Sequence, residues 1–173
     1  MERLLMIICI VIMSIVSVVP LLLRAEISPK NYLKVHNDAR AEVGVKPLDW
    51  DPQLALYARK FVEKHIADCR NGLMDAAVAD DTYGQNKAYA MESQIEVSKS
   101  ILTWVNQKHN YDYKSNTCID GTIACHCYTQ IVWDTTIFLG CASVECHNYG
   151  GTLITCLYSP EGNLPNQRPY KLH

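Results

Sequence analysis

The sequence predicts an α+β domain, because helical patterns fill most of its first two thirds and strand patterns its last third. Two helix starts are marked by a capping residue followed by proline, and a cluster of turn residues between two β-forming runs marks a hairpin near the end. Seven of the eight cysteines follow residue 25, which indicates a domain held together by disulfide bonds. A chain of 173 residues is enough for one such domain.

The first 25 residues have the layout of a secretory signal peptide. Leu4 to Leu23 is almost wholly apolar and uncharged, Arg3 precedes it, and Arg24-Ala25 follows it with a small residue at a plausible cleavage point. A membrane anchor is the alternative, since about twenty apolar residues can span a bilayer, but no basic cluster follows the run. We therefore expect a cleaved signal peptide at 1–25 and a secreted domain over 26–173.

The charge pattern argues against nucleic acid and anionic membrane surfaces as partners. The chain carries 16 basic and 18 acidic residues, and loss of residues 1–25 would leave a net charge of −3. These charges are scattered, with no run of Lys or Arg that could follow a phosphate backbone. No Asn-x-Ser/Thr sequon occurs, so we expect no N-linked glycan.

Secretion would place the cysteines in an oxidising compartment, where three bridges and one free thiol are expected. A zinc ribbon is the alternative, but the sequence lacks a pair of C-x-x-C knuckles. Cys118 and Cys125 can close a small loop, and the predicted hairpin carries one cysteine pair on its two arms. Cys127 is expected to be free, although it could compete with Cys125 for Cys118. The favoured pairs are Cys118–Cys125, Cys141–Cys156 and Cys69–Cys146. The last two pairs could exchange partners, as Cys69–Cys141 with Cys146–Cys156.

Proline-led starts predict the first two helices. Ser28-Pro29 and Asp51-Pro52 each offer an N-cap side chain followed by proline at the first helical position. Apolar residues then follow helical spacing, in the first case until Gly44 and in the second from Leu54 to Ile66. A third helix is expected from Glu92 to Gln107.

The remaining elements are expected to be strands and loops. A loop over 70–82 precedes a short strand around Tyr83 to Ala90, and 110–121 lacks periodicity and is expected to be loop. Tyr128 to Trp133 is rich in β-forming residues and is expected to be a strand. The hairpin is predicted by two further β-rich runs around a turn cluster: Leu139 to Cys146, Thr152 to Tyr158 and the turn 147–151.

Several short motifs resemble the plant branch of the CAP superfamily, which groups cysteine-rich secretory, antigen five and pathogenesis-related proteins. The first, Tyr32 to Arg40, is similar to the HN-x-x-R opening of that family, and the others follow in family order over nearly the whole secreted part. They are Leu48-Asp49-Trp50-Asp51, Asp68-Cys69-Arg70, Tyr111 to Cys118, Tyr128 to Trp133, Leu139-Gly140-Cys141-Ala142 and Gln167-Arg168-Pro169-Tyr170. The resemblance implies an α-β-α sandwich, with a small antiparallel sheet between helical layers.

The resemblance also implies a function in defence without catalysis. Plant members are secreted on pathogen attack and are associated with antimicrobial action, often explained by binding of sterols in the pathogen membrane. We therefore expect an extracellular, apoplastic monomer that is not an enzyme and that contacts a sterol or another membrane lipid. Tyr111 and Tyr113 are the expected sterol contacts, with ordinary loop packing as the alternative role for both side chains.

Members of the family carry a cleft with two histidines and two glutamates, which suit zinc or a similar divalent ion. Here the resemblance places Leu73 and Cys127 at the histidine positions and Gln85 and Gln107 at the glutamate positions. An amide lacks the charge that holds a divalent cation. We therefore expect no metal and no other cofactor, and we expect the two glutamines to form hydrogen bonds with each other or with the backbone.

His126 is the one candidate for a replacement ligand, one residue before the family position. If its segment is extended, His126 and Cys127 point to opposite faces, so His126 would face away from the cleft. The same geometry argues against a cysteine-dependent hydrolase with Cys127 as nucleophile and His126 as base. His36, on the inner face of the first helix, is expected to be a core histidine rather than a ligand.

The proline-rich tail 160–173 suggests a second function. Pro160 to Tyr170 resembles the C-terminal peptide P-x-G-N-x-x-x-x-x-P-Y, which plant members can release as a defence signal. The resemblance implies a processing protease as a partner and, as the alternative function, a precursor of a signalling peptide without lipid binding. Leu157 departs from the family motif before the tail, and Lys171 to His173 extend past its usual end. Packing of the tail over a sheet edge is the purely structural alternative.

Overall fold

The computed structural model describes residues 28–74, 82–91, 97–147 and 150–171. The predicted signal peptide at 1–25 lies outside these residues, as does the predicted start of the third helix at 92–96, and both stay predictions. No helix in the described ranges combines the length and the apolar composition that crossing a membrane requires.

Helices and strands follow the order expected for an α+β domain. The helices are α1 (Pro29–Glu42), α2 (Pro52–Lys64), α3 (Cys69–Met74), α4 (Val97–Asn106) and α5 (His126–Ile131). The strands are β1 (Asp49–Trp50), β2 (Gly84–Ala90), β3 (Tyr111–Asp112), β4 (Thr117–Cys118), β5 (Phe138–Glu145) and β6 (Thr152–Ser159). Short 3₁₀ turns follow α4 at Gln107–Asn110 and β4 at Ile119–Gly121.

Side-chain caps start the two proline-led helices as predicted. The Ser28 hydroxyl accepts a hydrogen bond from the Lys30 amide at 3.2 Å at the start of α1. The Asp51 carboxylate accepts from the amides of Gln53 at 2.7 Å and Leu54 at 3.1 Å at the start of α2. These bonds satisfy amide donors that have no partner within the helix.

The predicted hairpin forms the centre of a four-stranded sheet in the order β1-β5-β6-β2. Strands β5 and β6 pair antiparallel with Cys141 opposite Cys156, and β2 pairs antiparallel with β6. Strand β1, which no pattern in the sequence predicts, adds two residues parallel to β5. The sheet is therefore antiparallel except at this edge.

Two apolar clusters, one on each face of the sheet, make the α-β-α sandwich that the resemblance implied. Strand β6 divides its side chains between them, because successive residues of a strand point to opposite faces. Ile154 and Tyr158 join the cluster beneath α1, α4 and α5, whereas Leu153 and Leu157 join the cluster beneath α2. All four of these β6 side chains are fully buried.

The predicted strand over Tyr128 to Trp133 is wrong, because most of this segment lies in helix α5. Its residues are buried from Tyr128 to Trp133, so packing rather than intrinsic β-propensity decides the conformation. Distant side chains also complete its ends: the Gln107 side chain accepts from an amide in the first turn, and Arg40 donates to Ile131 O. A helix end needs such partners, and the local sequence does not display them.

Two smaller loop predictions also need correction. The predicted loop over 70–82 begins inside helix α3, while 75–81 lies outside the described residues. The predicted loop over 110–121 contains the two-residue ladder of β3 with β4. Both elements are too short to leave a periodic pattern in the sequence.

Three disulfides join elements that are distant in the chain or close a loop. Cys69–Cys146 ties α3 to the end of β5, Cys118–Cys125 closes the turn before α5, and Cys141–Cys156 bridges β5 and β6. This is the favoured pairing of the two that the sequence left open. Cys127 carries a free thiol.

Candidate functional site

Gln107 and Cys127 lie together at the start of α5. The Gln107 Oε1 atom accepts a hydrogen bond from the Cys127 amide at 3.0 Å. That amide is in the first turn of the helix, where backbone donors have no partner within the helix. Gln107 therefore caps α5. Its hydrogen bond to the backbone is one of the two kinds of bond expected for this glutamine.

Gln85 is not brought to the same place. Its Nε2 atom donates to Thr155 Oγ1 at 3.0 Å, whereas the next residue, Asn86, donates to Cys127 O at 3.0 Å. Neighbouring residues of β2 point to opposite faces of the sheet, so β2 directs Asn86 toward α5 and Gln85 toward the layer of α2. The two glutamines are therefore not partners of each other. Leu73 lies on α3, and its side chain is outside the described part of the structure.

A buried polar network connects three elements next to Cys127. His36 Nε2 lies 2.8 Å from the Tyr158 hydroxyl, and His36 Nδ1 lies 2.8 Å from the Tyr32 carbonyl oxygen. A carbonyl can only accept, so Nδ1 carries the hydrogen and the Tyr158 hydroxyl donates to Nε2. Asn86 completes the network by donating to the same hydroxyl at 3.0 Å. His36 is thus a core histidine with both ring nitrogens bonded.

Sequence reasoning missed Asn86 and Tyr158 as members of this network. The available signal was weak in both cases: Asn86 directly follows Gln85, a position already compared with the family, and Tyr158 carries a hydroxyl near the end of a mostly apolar strand. Both polar atoms are buried, and buried polar atoms require partners. The partners lie 41 to 122 residues away in the chain, so the sequence pattern could not identify them.

The premise that His126 and Cys127 lie on an extended segment is wrong, because both are on α5. Consecutive helical residues project about 100° apart, and here His126 is exposed while Cys127 is half-buried. Burial raises the pKa of the Cys127 thiol, and a side-chain hydrogen bond between the thiol and Gln107 only partly opposes that effect. A protonated thiol is a poor nucleophile and a poor metal ligand.

The side chains in this region do not fit a zinc ion. Gln107 uses its oxygen for the Cys127 amide, and Gln85 points to the other face of the sheet. Within the described ranges, no group of three or more His, Cys, Asp or Glu side chains is arranged to hold a metal ion. Zinc in proteins normally takes three or four such ligands.

Titration of zinc into the chelator-treated secreted protein near neutral pH should therefore give no binding tighter than about 100 μM in a calorimeter. The control is the same titration of a Cys127→Ala variant, which should give the same heats. Micromolar binding of one ion per chain that disappears in Cys127→Ala would contradict the expectation, because it would require a site built around that thiol.

Tyr111 and Tyr113 belong to an aromatic cluster between the β3–β4 turn and the tail. Tyr111 lies 6.3 Å from Tyr128 and 6.4 Å from Tyr170, measured between ring centroids, and Tyr113 lies 5.2 Å from Tyr170. The Arg168 guanidinium lies over the Tyr113 ring at 4.9 Å. Burial raises the pKa of Tyr111 to about 12, so its hydroxyl stays protonated and donates to Asn116 at 2.8 Å. Part of the ring surface therefore serves packing.

The tail is docked on the domain by hydrogen bonds along its length. Gly162 N donates to the Gln130 side chain at 3.0 Å, and Pro169 O accepts from the Asp134 amide at 2.7 Å. Glycine is required at 162 because a Cβ atom there would lie 2.7 Å from the Trp133 ring. The tail packs against the α5 region rather than extending into solvent.

Comparisons with known proteins give one consistent result. The family model for the cysteine-rich secretory protein family, CAP, matches residues 33–158. Pathogenesis-related protein 1 of Arabidopsis thaliana is 42% identical over 161 residues, which is 93% of this chain and 94% of that protein. Pathogenesis-related protein 1A of Nicotiana tabacum is 41% identical over 147 residues, which is 85% of this chain and 83% of that protein.

Solved structures resemble this fold over most of its length. Venom allergen-like protein 4 of Schistosoma mansoni aligns with a TM-score of 0.62 and 25% identity, covering 85% of this chain and 97% of that one. NaASP2, solved with Zn²⁺, aligns with a TM-score of 0.60 and 15% identity, covering 83% of this chain and 85% of that one. The second likeness concerns the fold alone.

Proposed function

The chain belongs to the CAP family of cysteine-rich secretory proteins, and from this membership we propose that it is a secreted plant defence protein that acts by binding rather than by catalysis. The observation that carries the proposal is the sequence identity of 41–42% between this chain and plant pathogenesis-related proteins, over 85–93% of its length. Three disulfides support an extracellular location, and we propose the apoplast. The proposed form is a monomer without a nucleic-acid partner.

The proposed ligand is a sterol or a similar lipid of a pathogen membrane, held at the cluster of Tyr111 and Tyr113. Both rings are half-buried, so each combines an anchored edge with accessible ring surface. Aromatic faces suit a flat apolar ring system, and a tyrosine hydroxyl can bond a sterol hydroxyl. The contacts of both rings with Tyr170 support a preorganised surface.

Direct binding of ergosterol to the secreted protein tests this proposal. Tyr113→Ala should weaken sterol binding at least tenfold, because it removes a ring from the contact surface. Tyr57→Ala is the matched control, since Tyr57 stacks with Tyr83 in the layer of α2 and is not in the cluster. Thermal unfolding of each variant separates lost binding from lost folding. Equal sterol affinity in Tyr113→Ala and the unmodified protein would refute the assigned surface.

Release of the tail as a signal is the second candidate function, and it requires a processing protease as partner. The junction argues that cleavage needs local opening first: Ser159 ends β6, and its carbonyl accepts from the Ile137 amide at 3.0 Å. A protease must bind the chain in an accessible conformation, so opening of the docked tail would limit the rate of cleavage. This candidate is compatible with lipid binding.

Hydrolysis is the least supported function. The proposal assigns no catalytic residue, because the Cys127 thiol is half-buried with a raised pKa. An activated cysteine nucleophile instead needs a lowered pKa and an adjacent base.

A further inference from the structure

A cavity of about 360 Å³ lies between the disulfide-closed turn before α5 and the docked tail. The turn contributes Cys118 and Thr122, the tail contributes the segment from Asn163 to Gln167 and Pro169, and helix α5 contributes His126 to the lining. Its volume falls within the range of small-molecule sites, roughly 300–1,000 Å³. Among the residues that the structure describes, the cavity lining includes none at the family's metal-ligand positions, which are Leu73, Gln85, Gln107 and Cys127. It does not include the buried His36 network either.

The walls of this cavity are built from unusual backbone conformations. Three non-glycine residues in the described chain have a positive φ, and all three line the cavity: Asn116 at 59°, Asn163 at 56° and Asn166 at 62°. Left-handed conformations cost energy for most residues, and asparagine tolerates them best after glycine. All three lie around one cavity, so the backbone of its walls depends on asparagine at these positions.

Two of these asparagines fasten the walls to each other. Asn116 accepts from the Tyr111 hydroxyl at 2.8 Å and donates to Gln167 O at 3.0 Å, which ties the β3–β4 turn to the tail. Asn163 accepts from Thr129 Oγ1 at 2.5 Å and donates to His126 O at 3.0 Å, which ties the tail to α5. The cavity is therefore held open by its own side chains before any ligand arrives.

Other polar side chains of the lining retain their hydrogen-bonding capacity. The side-chain amides of Asn166 and Gln167 and the imidazole of His126 are exposed, and none makes a hydrogen bond to another described side chain or backbone group. The lining also includes Tyr111 and Trp133, and none of the described lining residues is Asp, Glu, Lys or Arg. We propose that this cavity binds a neutral carbohydrate, with Asn166, Gln167 and His126 as its hydrogen-bonding partners.

The chemistry of the lining favours this ligand class over the others. A side-chain amide both donates and accepts, as do sugar hydroxyls, and the half-buried Tyr111 ring can pack against the C–H face of a sugar ring. A charged ligand would find no opposite charge among the lining residues that the structure describes. A peptide would find turns and two-residue strands instead of a long strand edge to pair with.

Calorimetric titration of neutral glucose, N-acetylglucosamine and mannose oligosaccharides into the secreted protein tests the proposal. One series is expected to bind with one site per chain and a Kd between about 10 μM and 1 mM. The double variant Asn166→Gly and Gln167→Ala should weaken that binding at least tenfold. Glycine at 166 accepts the same positive φ, so this variant removes the amides and keeps the wall.

Gln53→Ala is the matched control, because Gln53 is an exposed glutamine on α2 outside the cavity lining, and it should bind the sugar as the unmodified protein does. Absence of binding by every series up to about 10 mM would overturn the proposal, as would unchanged sugar affinity in the double variant. The ergosterol assay on the double variant keeps this inference separate from the proposed lipid function: sterol binding should persist. Loss of sterol binding there would assign the cavity to the lipid instead.

Discussion

Replacing Arg40 by alanine is expected to lower the free energy of unfolding by about 3–5 kcal/mol. Arg40 is fully buried on α1, and its guanidinium is bonded only to backbone carbonyl oxygens among the partners found in the described chain. These partners are Lys46 O at 2.6 Å, Ile131 O and Trp133 O at 2.8 Å, and Thr136 O at 3.0 Å. One side chain thus holds the loop after α1 to the segment that follows α5.

The size of the effect follows from what alanine would leave behind. Ile131 O lies at the C-terminal end of α5, where carbonyls have no partner within the helix and a positive charge is favourable, and Trp133 O lies just beyond that end. Alanine would remove these bonds and open a buried cavity beside them. Burial lowers the pKa of Arg40 to about 10, so the side chain still carries its charge at neutral pH.

Urea unfolding followed by tryptophan fluorescence measures this loss. Arg40→Lys should fall between the alanine variant and the unmodified protein, because an ammonium keeps the charge but cannot reproduce the planar set of donors. Arg59→Ala is the matched control: its pair with Glu63 on α2 is long, at 3.9 Å, and exposed, so the loss should stay below about 1 kcal/mol. A loss below about 1 kcal/mol for Arg40→Ala would contradict the assigned role.

Features that depend on nearby residues could be predicted from the sequence. Ser28 and Asp51 cap helices because the capping side chain and the amide that it binds are two or three positions apart. The β5–β6 hairpin could be predicted equally well, since its turn residues separate two runs rich in β-forming side chains. In each case the stabilising partner lies within the stretch that carries the signal.

Helix α5 could not be predicted because its partners are distant. Tyr, Thr and Ile favour strands, yet Tyr128, Thr129 and Ile131 lie in a helix whose first turn is capped by Gln107 and whose last carbonyl is bonded to Arg40. Arg40 precedes Ile131 by 91 residues. Tertiary contacts of this kind override propensities of a few tenths of a kcal/mol per residue.

The candidate site shows the same division. The identities of Gln85, Gln107 and Cys127 already indicated a poor metal site, because identity determines charge and ligand type. Their arrangement was not predictable, since the direction in which Gln85 points depends on the register of β2 with β6. A shift of one residue exchanges the two faces of a strand, and a short sequence motif does not specify it.

Acidification is expected to destabilise the protein through His36. Burial lowers the pKa of this imidazole from its ordinary value of 6.5 to about 4; the hydrogen bond to the Tyr32 carbonyl opposes the shift, and the charge of Arg40 adds to it. In the unfolded chain His36 takes up a proton near pH 6.5, whereas in the folded protein it stays neutral until about pH 4. The unfolded state therefore binds more protons in this interval, and the free energy of unfolding falls as the pH falls.

The stabilisation from neutral His36 is complete above pH 6.5 and lost by about pH 4, with a total of about 3 kcal/mol. Urea unfolding between pH 7.5 and 4.5, at about half-unit steps, measures the slope. His36→Gln removes the titrating ring and should flatten the curve, although its stability at neutral pH will be lower because the bonds to Tyr32 and Tyr158 are altered. His109→Gln, at an exposed histidine, should keep the pH profile of the unmodified protein. A His36 ring that titrates above pH 6 by NMR in the folded protein would show that the network does not hold it neutral.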